Sequence, residues 1–209
     1  MKTSKAIHRS PVALAILSLL IEEPMHPYRM QQLLKERGKH DVVNVHQRAS
    51  IYQTIERLSH QQLIEVQETI REEGRPDKTV YAVTEKGRVT AFSWMKEIIS
   101  LPVKEYPEFP AALSFLPLLD VEVVIEAFER RVGFLRDSLT GMQHQYEEAK
   151  EVLPRVLLLD LEYRMNMFSA EIEWVRSILE EIKNKNIDWN LELLLGISTK
   201  FKSENPHHE

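Results

Sequence analysis

Between Arg48 and Arg57 the chain offers Arg48, Ser50, Gln53, Thr54 and Arg57 opposite the apolar Ile51, Ile55 and Leu58. Arginine can make two bonds to guanine, and glutamine two to adenine, so Arg48 and Gln53 suit base edges. Ser50, Thr54 and Arg57 suit phosphate oxygens, which position a protein on a duplex without reading it. Tyr52, beside the apolar stripe, either puts its hydroxyl on a phosphate or is simply packed. Farther on, Arg71, Arg75 and Lys78 gather at one turn. A cationic β-turn can grip phosphate or enter the minor groove, although Glu72 and Glu73 work against it. Lys2, Lys5 and Arg9 form a basic N-terminal arm. An ordinary solvated face would account for either group alone; their succession favours nucleic acid.

Other chemistries find no residues. There is no cysteine, hence no disulfide, zinc–thiolate site or cysteine nucleophile. His26, His40, His46 and His60 form no HExxH motif or ligating pair. GxSxG, Walker and GxGxxG motifs are absent. The acidic side chains occupy helix exteriors, as solvated faces do. No metal, cofactor or catalytic group is expected. Trp174 and Trp189 either line a small-molecule pocket between dimer helices or pack at an interface.

The elements that must carry these residues follow from periodicity. Residues 11–22 read as a buried helix with Pro11 in its first turn. Glu22-Glu23-Pro24 breaks it, Pro27 opens a second helix, and Gly38 stops that one. A third runs from about 47 to 60. The period then becomes two: Ile64, Val66 and Ile70 alternate with polar residues, and Thr79–Val83 gives a second strand. Thr84 caps a helix over about 85–100. Three helices, a basic-tipped hairpin and a helix make a winged helix-turn-helix. Pro102, Pro107, Pro110 and Pro117 mark a linker. Beyond it, Val121, Ile125, Phe128, Val132, Leu135, Leu139 and Met142 step by four and three, as do Leu158, Leu161, Met165, Phe168, Ile172, Val175, Leu179 and Ile182. Pro154 folds the two long helices antiparallel. Met167, Trp174 and Ile178 add a strip that one hairpin cannot bury, so a second copy is the simplest partner. The dimer contact is expected to draw on Val121, Ile125, Phe128, Val132, Leu135, Phe168, Ile172, Trp174, Val175 and Ile178.

The expected fold class is therefore mainly α. A winged-helix DNA-binding domain spans 1–100, a proline-rich linker 101–118, and a helical dimerisation domain, able to hold an effector, 119–209. Charge follows this division. The 209 residues carry a net −5, but residues 1–90 hold 14 Lys+Arg against 11 Asp+Glu, and residues 91–209 hold 13 against 21. A mildly basic front joined to an acidic back suggests a nucleic-acid end attached to something else. Lys2, Lys5 and Arg9 before the apolar 11–21 run imitate a secretory leader. That run is too short to span a bilayer and is followed by Glu22-Glu23-Pro24-Met25-His26, without a small-x-small cleavage site. A cytoplasmic protein without a membrane partner is expected.

One ordered set of residues is more specific. His26-Pro27-Tyr28, Ser50-Ile51-Tyr52, Ile55, Leu58, Leu63-Ile64-Glu65, Gly74-Arg75-Pro76 and Tyr81-Ala82-Val83-Thr84-Glu85-Lys86-Gly87-Arg88 resemble the PadR family of transcriptional regulators. More loosely, Phe109–Phe115 and Ala170–Trp174 resemble its C-terminal region, in the longer subgroup with two helices. The resemblance implies a homodimeric winged-helix protein, usually a repressor, that often leaves double-stranded operator DNA when a small aromatic or toxic compound binds. It places Tyr52, the third helix and the Gly74-Arg75-Pro76 wing against DNA. Pro27 stands where the family usually has glycine, and Asp77 where a basic residue is common. The rival reading is a winged-helix and coiled-coil adaptor that binds proteins.

Overall fold

The computed structural model describes residues 9–39, 42–43, 48–70 and 78–190, with 48 and 49 as backbone alone. The chain divides into two compact units, between Glu105 and Tyr106.

In the first unit, α1 (Pro11–Glu22) begins at Ser10, whose Oγ accepts the Ala13 N–H at 3.2 Å. Ala13, Ile16, Leu17, Leu19 and Leu20 are all buried. The helix is apolar nearly all round because it packs against α3, α4 and β2 together. The leader-like stretch is thus a core helix, and no described helix is long and apolar enough to cross a membrane.

Helix α2 (Pro27–Glu36) starts at His26, whose Nδ1 accepts the Arg29 N–H at 3.1 Å, with Pro27 in the first turn. It buries Met30, Leu33 and Leu34 and stops before Gly38, which takes a positive φ of 64°. Both arms of the Arg37 guanidinium donate to Glu22 at 2.7 Å and join the ends of α1 and α2. That hydrogen bonding holds the Glu22 carboxyl below its ordinary value.

Helix α3 (Arg48–His60) buries Ile51, Ile55 and Leu58 against α1. Strands β1 (Ile64–Ile70) and β2 (Lys78–Val83) pair antiparallel from Ile64↔Val83 to Ile70↔Lys78, with an irregularity between Val66 and Glu68. Met25 adds a third partner on the far edge of β2. Its N–H donates to the Tyr81 carbonyl, and Tyr81 N–H donates back, both at 3.1 Å. This bridge carries no sequence signal, because Met25 lies in a loop of breakers.

Helix α4 (Glu85–Ser100) is fastened to the end of α3 by a small lock. Thr84 Oγ1 accepts the Gly87 N–H at 3.0 Å and donates to the Gln62 carbonyl at 2.8 Å. Lys86 Nζ donates to the Gln61 carbonyl at 2.8 Å. Gln62 sits at φ 58°, in the left-handed region. A Cβ at Gly87 would lie 2.0 Å from the Leu63 carbonyl oxygen, so only glycine permits this approach. The Thr84–Gly87 signature is the chemistry of this joint.

In the second unit, residues 108–118, inside the stretch read as a linker, are folded. Helix α5 (Glu108–Leu113) and a 3₁₀ turn (Leu116–Leu118) bring Phe109, Leu113 and Leu116 against the two long helices. Those are α6 (Val121–Lys150) and α7 (Leu159–Lys183), joined through Pro154 and a 3₁₀ turn at Arg155–Leu157. Phe128, Val132, Leu135, Ile172, Val175, Leu179 and Ile182 are buried along their seam, with Val121, Ile125, Phe168 and Ile178 partly buried beside it. This corrects one expectation. Residues assigned to a dimer contact are spent inside the chain, because the a/d positions of an antiparallel hairpin face each other first. Only Trp174 of that set stays well exposed, at 44%, near Met167 at 51%. Phe134, at 70%, is a further exposed aromatic that the heptad pattern does not single out.

At the hairpin's tip, Arg155 donates to both oxygens of Glu162 at 2.9 Å, and Tyr146 Oη donates to the same carboxylate at 3.0 Å. Arg155 chiefly holds Glu162 below its usual value, and Glu162 in turn raises Tyr146.

Candidate nucleic-acid interface

Helix α3 presents Tyr52, Gln53, Glu56 and His60 to solvent. Their spacing of three and four places them on one face. Tyr52 is 52% exposed, which leaves its ring and hydroxyl outside the core. The opposite side is closed by Ile51, Ile55 and Leu58, so the helix cannot rotate without unburying them.

Two polar residues of the expected outer face are used differently. Thr54 is only 8% exposed, and its Oγ1 donates to the Ser50 carbonyl at 2.6 Å. It turns inward and satisfies itself on the preceding turn, a common arrangement for a helical threonine. The phosphate role expected of it is corrected on that ground. Arg57 is half-buried and donates from Nη2 to Ser10 Oγ at 3.1 Å, the oxygen that caps α1. Its guanidinium ties α3 to α1. Ser50 lies half-buried one turn before Thr54.

The basic arm is equally engaged where it is described. Arg9 pairs with Glu97 of α4 at 3.2 Å, so it lies against the unit. An ion pair this exposed contributes about 0–1 kcal/mol and yields readily to a competing phosphate. Lys78 begins β2 and is half-buried. Lys5, the Arg48 side chain, Arg71 and Arg75 lie outside the described residues, and so do Gly74, Pro76 and Asp77.

Sequence reasoning missed Glu56. It is the acidic member of the exposed face, one turn beyond Tyr52 and three residues beyond Gln53. Helical angle alone would have found it: 56 falls between 52 and 53 around the axis. Burial raises the Tyr81 hydroxyl above its ordinary value, and the Glu56 carboxylate and then Tyr52 add to the shift. Glu56, Tyr52 and Tyr81 are therefore within electrostatic reach of one another.

The aromatic candidates lie in the second unit and are separate. Trp174 meets Phe109 edge-on at 6.2 Å, and Arg131 stacks on that phenyl ring at 3.5 Å while its Nε donates to Glu171. The two loosely matching segments, 109–115 and 170–174, thus meet in one cluster. Trp189 instead donates from Nε1 to the Leu119 carbonyl at 2.8 Å. It borders a cleft of about 590 Å³ with Leu119, Val121, Ile125 and Ile182, and Trp174 does not line that cleft. Among the described residues no cluster of His, Asp and Glu could hold a metal ion.

Similarity to known proteins follows the same division. Residues 16–91 match the transcriptional regulator PadR-like family. No curated protein matches the chain. A crystal structure of Bacillus subtilis PadR in complex with operator DNA shares 20% identity at a TM-score of 0.67, covering 83% of this chain and 99% of that one. The same protein in complex with p-coumaric acid gives 20% and 0.66, covering 82% and 98%. The Vibrio cholerae virulence activator AphA gives 18% and 0.64, covering 83% and 99%. At these identities the likeness is one of fold, and it extends through the long C-terminal helices.

Proposed function

We propose, for a chain whose residues 16–91 match the transcriptional regulator PadR-like family, that it binds operator DNA as a homodimer and represses transcription. The observation that carries this reading is the rigid outer face of α3, with Tyr52 and Gln53 exposed beside a hairpin. A helix of this kind fits the major groove, while the first helix of the pair crosses the backbone. The operator complex of Bacillus subtilis PadR, similar in fold, supports it. Arg48 and Gln53 read bases. Tyr52 and Ser50 meet phosphates, and Lys5, Arg71, Arg75 and Lys78 add sequence-independent grip. Two copies set their α3 helices about 34–36 Å apart on a roughly palindromic site.

Arg48→Ala tests the base-reading role and the adaptor reading together. Its affinity for a preferred duplex should fall by about 1–3 kcal/mol, with relaxed preference at one position. Unchanged DNA affinity together with loss of a protein partner would favour the adaptor.

Release by a small aromatic compound completes the proposal, supported by the p-coumaric acid complex of the similar Bacillus protein. Such a ligand must bind one dimer geometry better than the other. Aromatic acids should then weaken DNA binding and change Trp174 or Trp189 emission. DNA affinity unmoved across a diverse panel would remove this part alone.

A further inference from the structure

Glu56 is an anomaly on a DNA-reading face. It is exposed, and no hydrogen bond or ion pair holds it among the described residues. Tyr52, Gln53 and His60 beside it bring no permanent cation, and Arg48 lies two turns away at the start of the helix. Arg57, the nearest arginine in sequence, has its guanidinium drawn to Ser10 on the α1 side. A carboxylate brought into a groove between two phosphate strands without a neutralising partner is repelled and loses water. It is tolerated only where it meets a donor. In the major groove the base edges that donate are the amino groups of cytosine and adenine, and carboxylates pair with cytosine N4. Adenine places an acceptor, N7, beside its amino group; glutamine matches that pair and a carboxylate does not.

We infer that Glu56 is a specificity-determining residue that accepts a hydrogen bond from the N4 amino group of one cytosine in each half-site. This rests on the proposed DNA-binding function and deepens it. Gln53, three residues earlier on the same face, reads an adjacent base. The carboxylate also acts against wrong sequences: opposite guanine O6 or thymine O4 it faces an acceptor and gains nothing for its lost hydration. Discrimination at this position therefore comes from rejection as well as attraction.

The test uses the full-length protein and a pool of duplexes with a randomised core, from which bound sequences are recovered. Wild type, Glu56→Gln and Glu56→Ala are compared, with thermal unfolding checked for each. Because the side chain is exposed, both variants should melt as wild type does. Wild type should require cytosine at one position per half-site, by about 5- to 150-fold over other bases. Glu56→Ala should lose that requirement, keep the preferences elsewhere, and bind unrelated DNA more tightly. Glu56→Gln should shift the position toward adenine. If wild type selects a sequence and neither variant changes any position, the inference is overturned and the DNA-binding function stands. A uniform loss of affinity with unchanged preferences overturns it too. A wild type that selects no sequence overturns both.

Discussion

Gly87 and Thr84 make the sharpest statement at the scale of single residues. The methyl group of Gly87→Ala would sit 2.0 Å from the Leu63 carbonyl, and backbone must move to admit it. The cost should be about 1–3 kcal/mol or more, read as a lower midpoint of thermal unfolding. An unchanged midpoint would mean that the α3–α4 joint is not locked as described. Thr84 was legible as a helix cap from its place before an amphipathic run. Gly87 was legible only as a letter in a family signature, since its reason is a carbonyl in another element. Thr54 and Glu56 show the limits of counting polar residues. Both are polar on one helix, but tertiary packing buries Thr54 and leaves Glu56 exposed, and helical spacing alone does not show which.

At the scale of elements, the α6–α7 hairpin carries a pH-sensitive clasp. Glu162 is held below its ordinary value first by the hydrogen bond from Arg155. A carboxyl lowered on folding stabilises the native state above its unfolded value, and the contribution fades as pH falls through the folded one. The second unit should therefore lose stability as pH drops through and below the normal glutamate range. Arg155→Ala should flatten that part of the profile, measured by helical circular dichroism during thermal melts. A profile identical to wild type would exclude the clasp. The two long helices themselves were written in the sequence, because heptad stepping over many turns admits few other structures. Their antiparallel pairing was legible too, but how much of the seam it would consume was not. The same a/d pattern serves a hairpin within one chain or a seam between chains, and Pro154 decides for the first. Residues 108–118 were hidden by their prolines, which announce a bend without saying that Phe109 turns back onto Phe128 and Trp174.

At the scale of the molecule, the −5 net charge conceals a basic front and an acidic back. Under the proposed function, specific binding by the basic unit should be strongly salt-dependent yet outlast the nonspecific kind, which the acidic unit disfavours. The exposed Phe134, Met167 and Trp174 on the helical unit ask for cover beyond the chain. We predict sedimentation at twice the 24.5 kDa of one chain at micromolar concentration; a monomer would remove the paired α3 helices from the account. Fold class was visible in periodicity. The order of helices and hairpin pointed to DNA, whereas the pieces of the proposed reading face had to be sorted by burial.

Binding of the purified protein to the DNA immediately upstream of its own gene tests the central claim most directly. Scrambled DNA of equal length is the comparison, and both are measured at low and at near-physiological salt. The account predicts tight binding to the upstream sequence that persists at the higher salt, while the scrambled duplex is released. Equal binding to both that fades together as salt rises would contradict it, leaving a nonspecific basic surface and favouring the adaptor.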